Sequence, residues 1–174
     1  ALKARVHLFR REYQQALAAA QKSLSYNNQL IDMVAYEAHP TPITVDKNPE
    51  VLNLAYMNGH TEMNIWYIYP VSPEFCNLFD ATNDMRFKLF FNKNHRYNDR
   101  GSGTANWDML STKFFYPTVG MKTGEMYLTM AECQARLGDP NGAMQTVNTL
   151  RSKRVKGSGA TLATPATTEE TVKL

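Results

Sequence analysis

The 174-residue sequence predicts a mainly α-helical protein, in which two helical hairpins flank an irregular, partly extended insert. Three observations carry this prediction. The sequence repeats itself at an offset of 127 residues: Ala4 aligns with Ala131, Arg11-Glu12 with Gly138-Asp139, Ala16 with Ala143 and Leu17 with Met144. The second copy carries the punctuation Gly138-Asp139-Pro140, in which Gly ends one helix, Asp can cap the next and Pro suits its first turn. Between the copies helical periodicity gives way to clustered prolines and glycines and to short alternating stretches.

The first copy, residues 1–26, reads as helix, turn at Arg10–Glu12, helix. Tyr13, Ala16/Leu17, Ala20 and Leu24 recur on one helical face. Residues 27–117 form the insert. Within it Ile65–Tyr69 alternates with period two, and Glu50–Met57 and Arg86–Phe91 read as short, partly buried strands or extended segments. Ser72-Pro73-Glu74 should open a helix running to about Ala81, and Asn92–Trp107 is a polar loop. Residues 118–156 hold the second hairpin, turning at Gly138–Asn141. Leu128, Ala131 and Ala135 supply one face, and Ala143, Val147 and Leu150 the facing one. Small Ala side chains at paired positions let two helices approach closely, the design of stacked helical-pair repeats. Residues 157–174 are a loop followed by a short helix behind Thr167-Thr168-Glu169-Glu170, which has the form of a capping box. Helix-forming sequence at the first residue and a short last helix make the whole read as one fragment of a longer protein.

Charge narrows the function classes. Residues 1–26 carry five Lys/Arg against one Glu, residues 27–117 seven against ten acids, and residues 118–174 seven against five. An acidic middle is poor material for following phosphates, so no nucleic-acid partner is expected. Cys76 and Cys133 have no metal spacing and read as buried free thiols. His7, His39, His60 and His95 are scattered and read as solvated surface, with His60-x-Glu62 the one local pair. Gly101–Asn106 lacks the last glycine of a dinucleotide loop, and neither a nucleophile elbow nor a zinc-protease pattern occurs. Neither a cofactor nor a metal site is expected.

Met121–Arg154 resembles the signature of the SusD/RagB family, surface glycan-binding lipoproteins that partner outer-membrane importers. The matching elements are Glu125-x-Tyr127-Leu128, Ala131-Glu132, Leu137-Gly138-Asp139, Ala143 and Asn148-x-x-Arg151. Lys122 and Gly124 stand where the family more often shows Arg and Ala. Residues 1–24 are similar to an earlier tetratricopeptide-like repeat of the same family, and Glu50-Val51-Leu52 and Ser72-Pro73-Glu74 leading to Asp84-x-Arg86 add weaker matches. The resemblance implies tetratricopeptide-like hairpins and non-catalytic capture of an oligosaccharide at the cell surface. It also implies a SusC-like TonB-dependent outer-membrane transporter as partner, and a lipid anchor on a segment absent from this chain. The alternative is a tetratricopeptide-type protein-interaction module. That would need adjacent repeats forming one groove, and a separation of 127 residues speaks against it.

Sugar recognition uses flat aromatic faces for the C–H side of a pyranose and planar amides or carboxylates for its hydroxyls. Of 19 aromatic residues, 14 lie between Tyr56 and Tyr116, and ten of the fourteen asparagines lie between Asn48 and Asn106. Phe75, Phe79, Phe87, Phe90, Phe91, Phe114 and Phe115 read as packing. Trp66, Tyr67 and Tyr69, between a polar loop and Pro70, and Trp107 with Asn106 are the candidate ligand-binding residues. Tyr13, Tyr26 and Tyr127 fit packing between helices. Glu125 and Glu132, seven apart on one helix, read as helix-to-helix bonds and not as a glycosidase pair, which would need a carboxyl of raised pKa.

Overall fold

The structure, a computed structural model, describes residues 1–36, 47–53, 73–90 and 120–173. The small residues of the repeat decide its geometry. On α1 (Leu2–Phe9) Ala4 is fully buried. On α2 (Tyr13–Tyr26) Ala16, Ala20, Ser23 and Leu24 form the inner face, three of them small enough for close helix packing. Chain order then continues through α3 (Met33–Tyr36), β1 (Val51–Asn53), α4 (Pro73–Cys76), α5 (Met85–Phe90) and β2 (Met121–Lys122). The second hairpin is α6 (Thr123–Arg136) and α7 (Pro140–Arg151), and α8 (Thr168–Lys173) follows a 3-10 turn at Gly157–Ala160.

The two copies, far apart in sequence, are neighbours in space. α2 packs along α6, and Ala4, Ala20, Leu24 and Met126 share one core cluster. α8 packs against α6 and α7, as the first helix of a third repeat would. Met126 is fully buried, and its side chain contributes about 1.5–3 kcal/mol by leaving water. Sequence separation is therefore no argument against a continuous stack: α1, α2, α6, α7 and α8 form one.

Both hairpins turn by the same backbone device. Glu12 N–H donates to His7 O and Arg11 N–H to Leu8 O, each at 2.9 Å. At the matching positions Asp139 N–H donates to Gln134 O (2.9 Å) and Gly138 N–H to Ala135 O (3.1 Å). These are the two bonds of a Schellman motif, which puts the residue after the C-cap in the left-handed region. Gly138 sits there with φ 86°, and Arg11 with φ 60°, the one non-glycine with positive φ among the described residues. Asn141 already belongs to α7, because Pro140 is pre-set for a first helical turn and Asp139 accepts the Gly142 N–H (2.8 Å). The expected capping box is present at α8: Thr167 N–H donates to Glu170 and Glu170 N–H to Thr167 Oγ1, both at 3.2 Å.

Several expectations for the insert need correction. Arg86–Phe91 is not a strand, since Met85–Phe90 is helical. Met85, Phe87 and Leu89 are all buried, an alternation that imitates a strand. The short helix is in fact enclosed on two sides: Met85 and Leu89, four apart, join Ile31 and Met33, while the Phe87 ring lies 6.2 Å from that of Phe79. Asp84 starts the helix by accepting the Arg86 N–H (2.9 Å). The helix opened by Pro73 stops at Cys76 instead of Ala81. Leu78 and Phe79 donate to carbonyls three residues back, and Asp80 then folds a turn by accepting the Thr82 and Asn83 N–H groups. A carboxylate suits the start of a helix and opposes the dipole at its end. Of Glu50–Met57, Val51–Asn53 is a strand, paired antiparallel with Met121–Lys122. Residues 54–57, Ile65–Tyr69 and Asn92–Trp107 lie outside the described residues.

Leu128 and Tyr26 also depart from expectation, at 55% and 79% exposed. Tyr26 ends α2 where the chain turns extended at Asn27, so its ring leaves the helix interface. Leu2, Val6 and Phe9 leave an apolar strip of α1 exposed.

Candidate functional site

Trp66, Tyr67, Tyr69, Asn106 and Trp107 lie outside the described residues. What the structure does describe is the collar from which the insert leaves the helical stack and to which it returns. The collar is built from the ends of both hairpins. Asn27, just past α2, donates through Nδ2 to Pro49 O (2.9 Å). Arg154, at the matching place past α7, donates to the Glu50 carboxylate and to Ile31 O. The same carboxylate accepts the Ile31 N–H at 2.7 Å, and Glu50 O accepts the Thr123 N–H at 2.9 Å. Glu50 and Arg154 are each 5% exposed, so this is a buried ion pair whose charges are further satisfied by backbone groups.

The N-terminal end of α6 holds the outgoing arm. Thr123 Oγ1 donates to Gln29 O (2.7 Å) and Tyr127 Oη to Asn28 O (3.2 Å). The turn just past α7 holds both arms at once. Lys153 O accepts the Met33 N–H (2.9 Å), Arg154 O the Met85 N–H (2.8 Å), and Lys156 N–H donates to Asn83 O (3.0 Å). Lys153 Nζ reaches Asp32 at 2.7 Å. Lys122, on β2, has its pKa lowered by burial and by Arg154, against the opposing pull of Glu50. An Ala at position 124 would fit here, since a Cβ on Gly124 would lie 3.7 Å from Leu150 Cδ1, an ordinary contact.

Two acids of α6 make ion pairs. Glu125 clamps Arg5 through two parallel bonds of 2.7 Å and so joins α6 to α1, as expected of a helix-to-helix bond. Glu132 differs, pairing with Arg136 on its own helix at 2.8 Å, while the Arg136 guanidinium lies 5.1 Å from the Tyr13 ring centre. His7 also departs from the expectation of a merely solvated residue, because Nδ1 lies 2.6 Å from Glu12 Oε2. Among the described residues three carboxyls are held below their ordinary range: Glu12 by the bond to His7, Asp32 by the bond to Lys153, and Asp80 by bonds to Asn83 and neighbouring backbone. A general acid needs the opposite direction.

Cys76 and Cys133 are buried free thiols; burial first, then Glu132, pushes Cys133 up to about 11, far from the reactive thiolate range. No group of three or more metal-ligating side chains occurs among the described residues, and none of their helices is long and apolar enough to cross a membrane. A groove of about 480 Å³ opens between α6, α7 and α8, with Leu128, Glu132, Val147 and Arg151 among its walls. Asn148 and Arg151 hold the loop beside it: Asn148 brackets Leu162 through both its amide atoms (2.9 Å each), and Arg151 donates to Gly159 O.

No family model and no curated protein sequence matches the chain. Solved structures do. A SusD-like carbohydrate-binding protein from Bacteroides vulgatus is similar over 98% of this chain, with 22% identity and a TM-score of 0.69. A SusD-like protein from Bacteroides fragilis is similar over 99%, with 18% identity and a TM-score of 0.71. The chain has the SusD/RagB-like fold and spans 38% and 48% of the lengths of these two proteins.

Proposed function

We propose, from this SusD-like fold, that the protein captures an oligosaccharide without breaking it, at the outer-membrane cell surface, for delivery to a SusC-like TonB-dependent transporter. The observation that carries the reading is the likeness of nearly the whole chain, collar and both hairpins included, to proteins of which one is described as carbohydrate-binding. The downward carboxyl shifts and the use of Glu50, Glu125 and Glu132 in ion pairs fit a binder better than a hydrolase. Trp66, Tyr67, Tyr69, Asn106 and Trp107 supply the ligand contacts in this reading, and a lipid anchor outside this chain holds the protein at the surface.

Calorimetric titration with neutral oligosaccharides tests it. Trp66→Ala or Trp107→Ala should weaken binding several-fold, since stacking contributes about 1 kcal/mol, with the melting temperature unchanged. If both variants lose about 3–5 kcal/mol of stability, the rings belong to the core and the platform lies elsewhere.

A second reading has one observation in its favour. α1, α2, α6, α7 and α8 stack continuously, as a peptide-binding tetratricopeptide groove requires. Binding of a peptide, with no response to any oligosaccharide, would select it.

A further inference from the structure

Tyr26 sits oddly for a residue of a helical repeat. Its neighbours on the inner face of α2, Ser23 and Leu24, are buried, yet its ring is 79% exposed. The backbone beyond it breaks from the helix at Asn27 (φ −152°, ψ 116°) and carries Asn28 and Gln29, both exposed. Among the described residues the Tyr26 ring and the Asn28 and Gln29 amides have no hydrogen-bond or ring partner. An exposed segment of this kind would ordinarily be mobile. This one is fixed from beneath. Asn27 Oδ1 accepts the Gln29 N–H at 3.0 Å while Asn27 Nδ2 holds Pro49 O. The carbonyls of Asn28 and Gln29 are held by Tyr127 and Thr123 of α6. The Asn27 side chain and the two carbonyls thus fix the backbone, and the Tyr26 ring and the Asn28 and Gln29 amides are left to solvent.

We infer that Tyr26, Asn28 and Gln29 form a second carbohydrate subsite on the collar, outside the Trp66–Trp107 segment, that takes a neutral pyranose unit. This rests on the carbohydrate-capture reading above. The ring offers a stacking face and the amides offer donors and acceptors to hydroxyls. None of the three side chains is charged, so a neutral sugar satisfies them without a counter-charge. The pinned backbone keeps the ordering cost of binding low.

The test uses the whole chain, titrated with neutral α- and β-glucan, mannan and galactan oligosaccharides and, separately, with a uronic acid oligosaccharide. Tyr26→Ala should weaken binding of the neutral probe about five-fold, as loss of one stacking contact does, and Asn28→Ala/Gln29→Ala should weaken it comparably. Neither should move the melting temperature. Amide resonances of Asn28 and Gln29 should shift on titration of wild type and stay still in Tyr26→Ala. Unchanged affinity in Tyr26→Ala, with Trp66→Ala or Trp107→Ala impaired, overturns the subsite and leaves the capture reading standing. Absence of binding to any probe by wild type overturns both. Intact oligosaccharide binding with lost co-purification of the outer-membrane transporter would make the patch a protein contact and likewise overturn the subsite.

Discussion

The two hairpins are built on one backbone plan but are held together by different chemistry. Each turns through a Schellman motif, and each ends in a serine whose hydroxyl donates to the carbonyl three residues earlier at 2.8 Å, Ser25 in one and Ser152 in the other. The side chains then diverge. The second copy has glycine in the left-handed position, a carboxylate capping its second helix, and a buried guanidinium at its far end. The first has arginine, a glutamate that turns away from the helix to His7, and an asparagine. Backbone topology can be kept while the local stabilising contacts move from one copy to the other. The second copy has the stronger of each pair, and it is the copy that anchors both arms of the insert.

The far ends should separate the two copies most. Arg154→Ala leaves the Glu50 carboxylate and the Ile31 carbonyl buried without their partner, and should lower the unfolding free energy by about 3–5 kcal/mol in urea titration. Asn27→Ala, at the matching place, removes neutral bonds and should cost about 1 kcal/mol. The double variant Glu50→Leu/Arg154→Met should recover much of the loss, because the desolvation of both charges goes with them. Equal effects at Arg154 and Asn27 would abolish the distinction between the copies.

Next come the caps. Asp139→Ala should cost about 1 kcal/mol by orphaning the Gly142 N–H, while Glu12→Ala, which loses only surface pairs to His7 and Arg10, should move the urea midpoint less. The turn residues should move stability in opposite directions. Gly138→Ala forces a side chain into φ 86° and should cost about 1 kcal/mol although the space around it is open, and Arg11→Gly should gain about 0.5 kcal/mol by relieving φ 60°. Matching signs would show that the turn is not the shared device described above.

The smallest effect is in pH. Asp32, bonded to Lys153, titrates below its ordinary value in the folded protein, so its contribution is present above the unfolded pKa near 4 and is lost as pH falls through the lowered folded value. The pair is partly exposed, so Asp32→Asn should remove only a shallow part of the acid-side slope, and added salt should shrink it further.

How much of this could be read from residues alone follows the range of each interaction. The hairpins, the Gly138 turn, the Asp139 cap and the box at Thr167 rest on neighbours within a few positions, and all stand in the sequence. Glu125 reads as a helix-to-helix bond because it belongs to a repeat signature, although its partner Arg5 is 120 positions away. The collar was hidden for the same reason in reverse: nothing near Glu50 or Asn27 names Arg154 or Pro49. The 85–90 segment misled because burial on two sides of a short helix mimics alternation. Tyr26 misled because it is the last residue of α2, where the chain turns extended at Asn27 and the ring leaves the helix interface. The expected ligand residues rest on composition, a statistic of the insert that assigns no position to any one ring.

The pinned neck has a consequence for how such a protein can change over generations. Gln29 and Thr123, 94 positions apart, are hydrogen-bonded to each other. The stack on one side of that socket is therefore insulated from the length of what is plugged into it. Doubling an already long loop costs only about 0.6 kcal/mol of closure entropy, less than the loss of one helix cap. Sequence within residues 54–72 and 91–119 can be exchanged, lengthened or shuffled while the socket residues, Asn83, Met85 and Leu89 among them, stay fixed, and the same helical frame can be fitted to new ligands without being refolded.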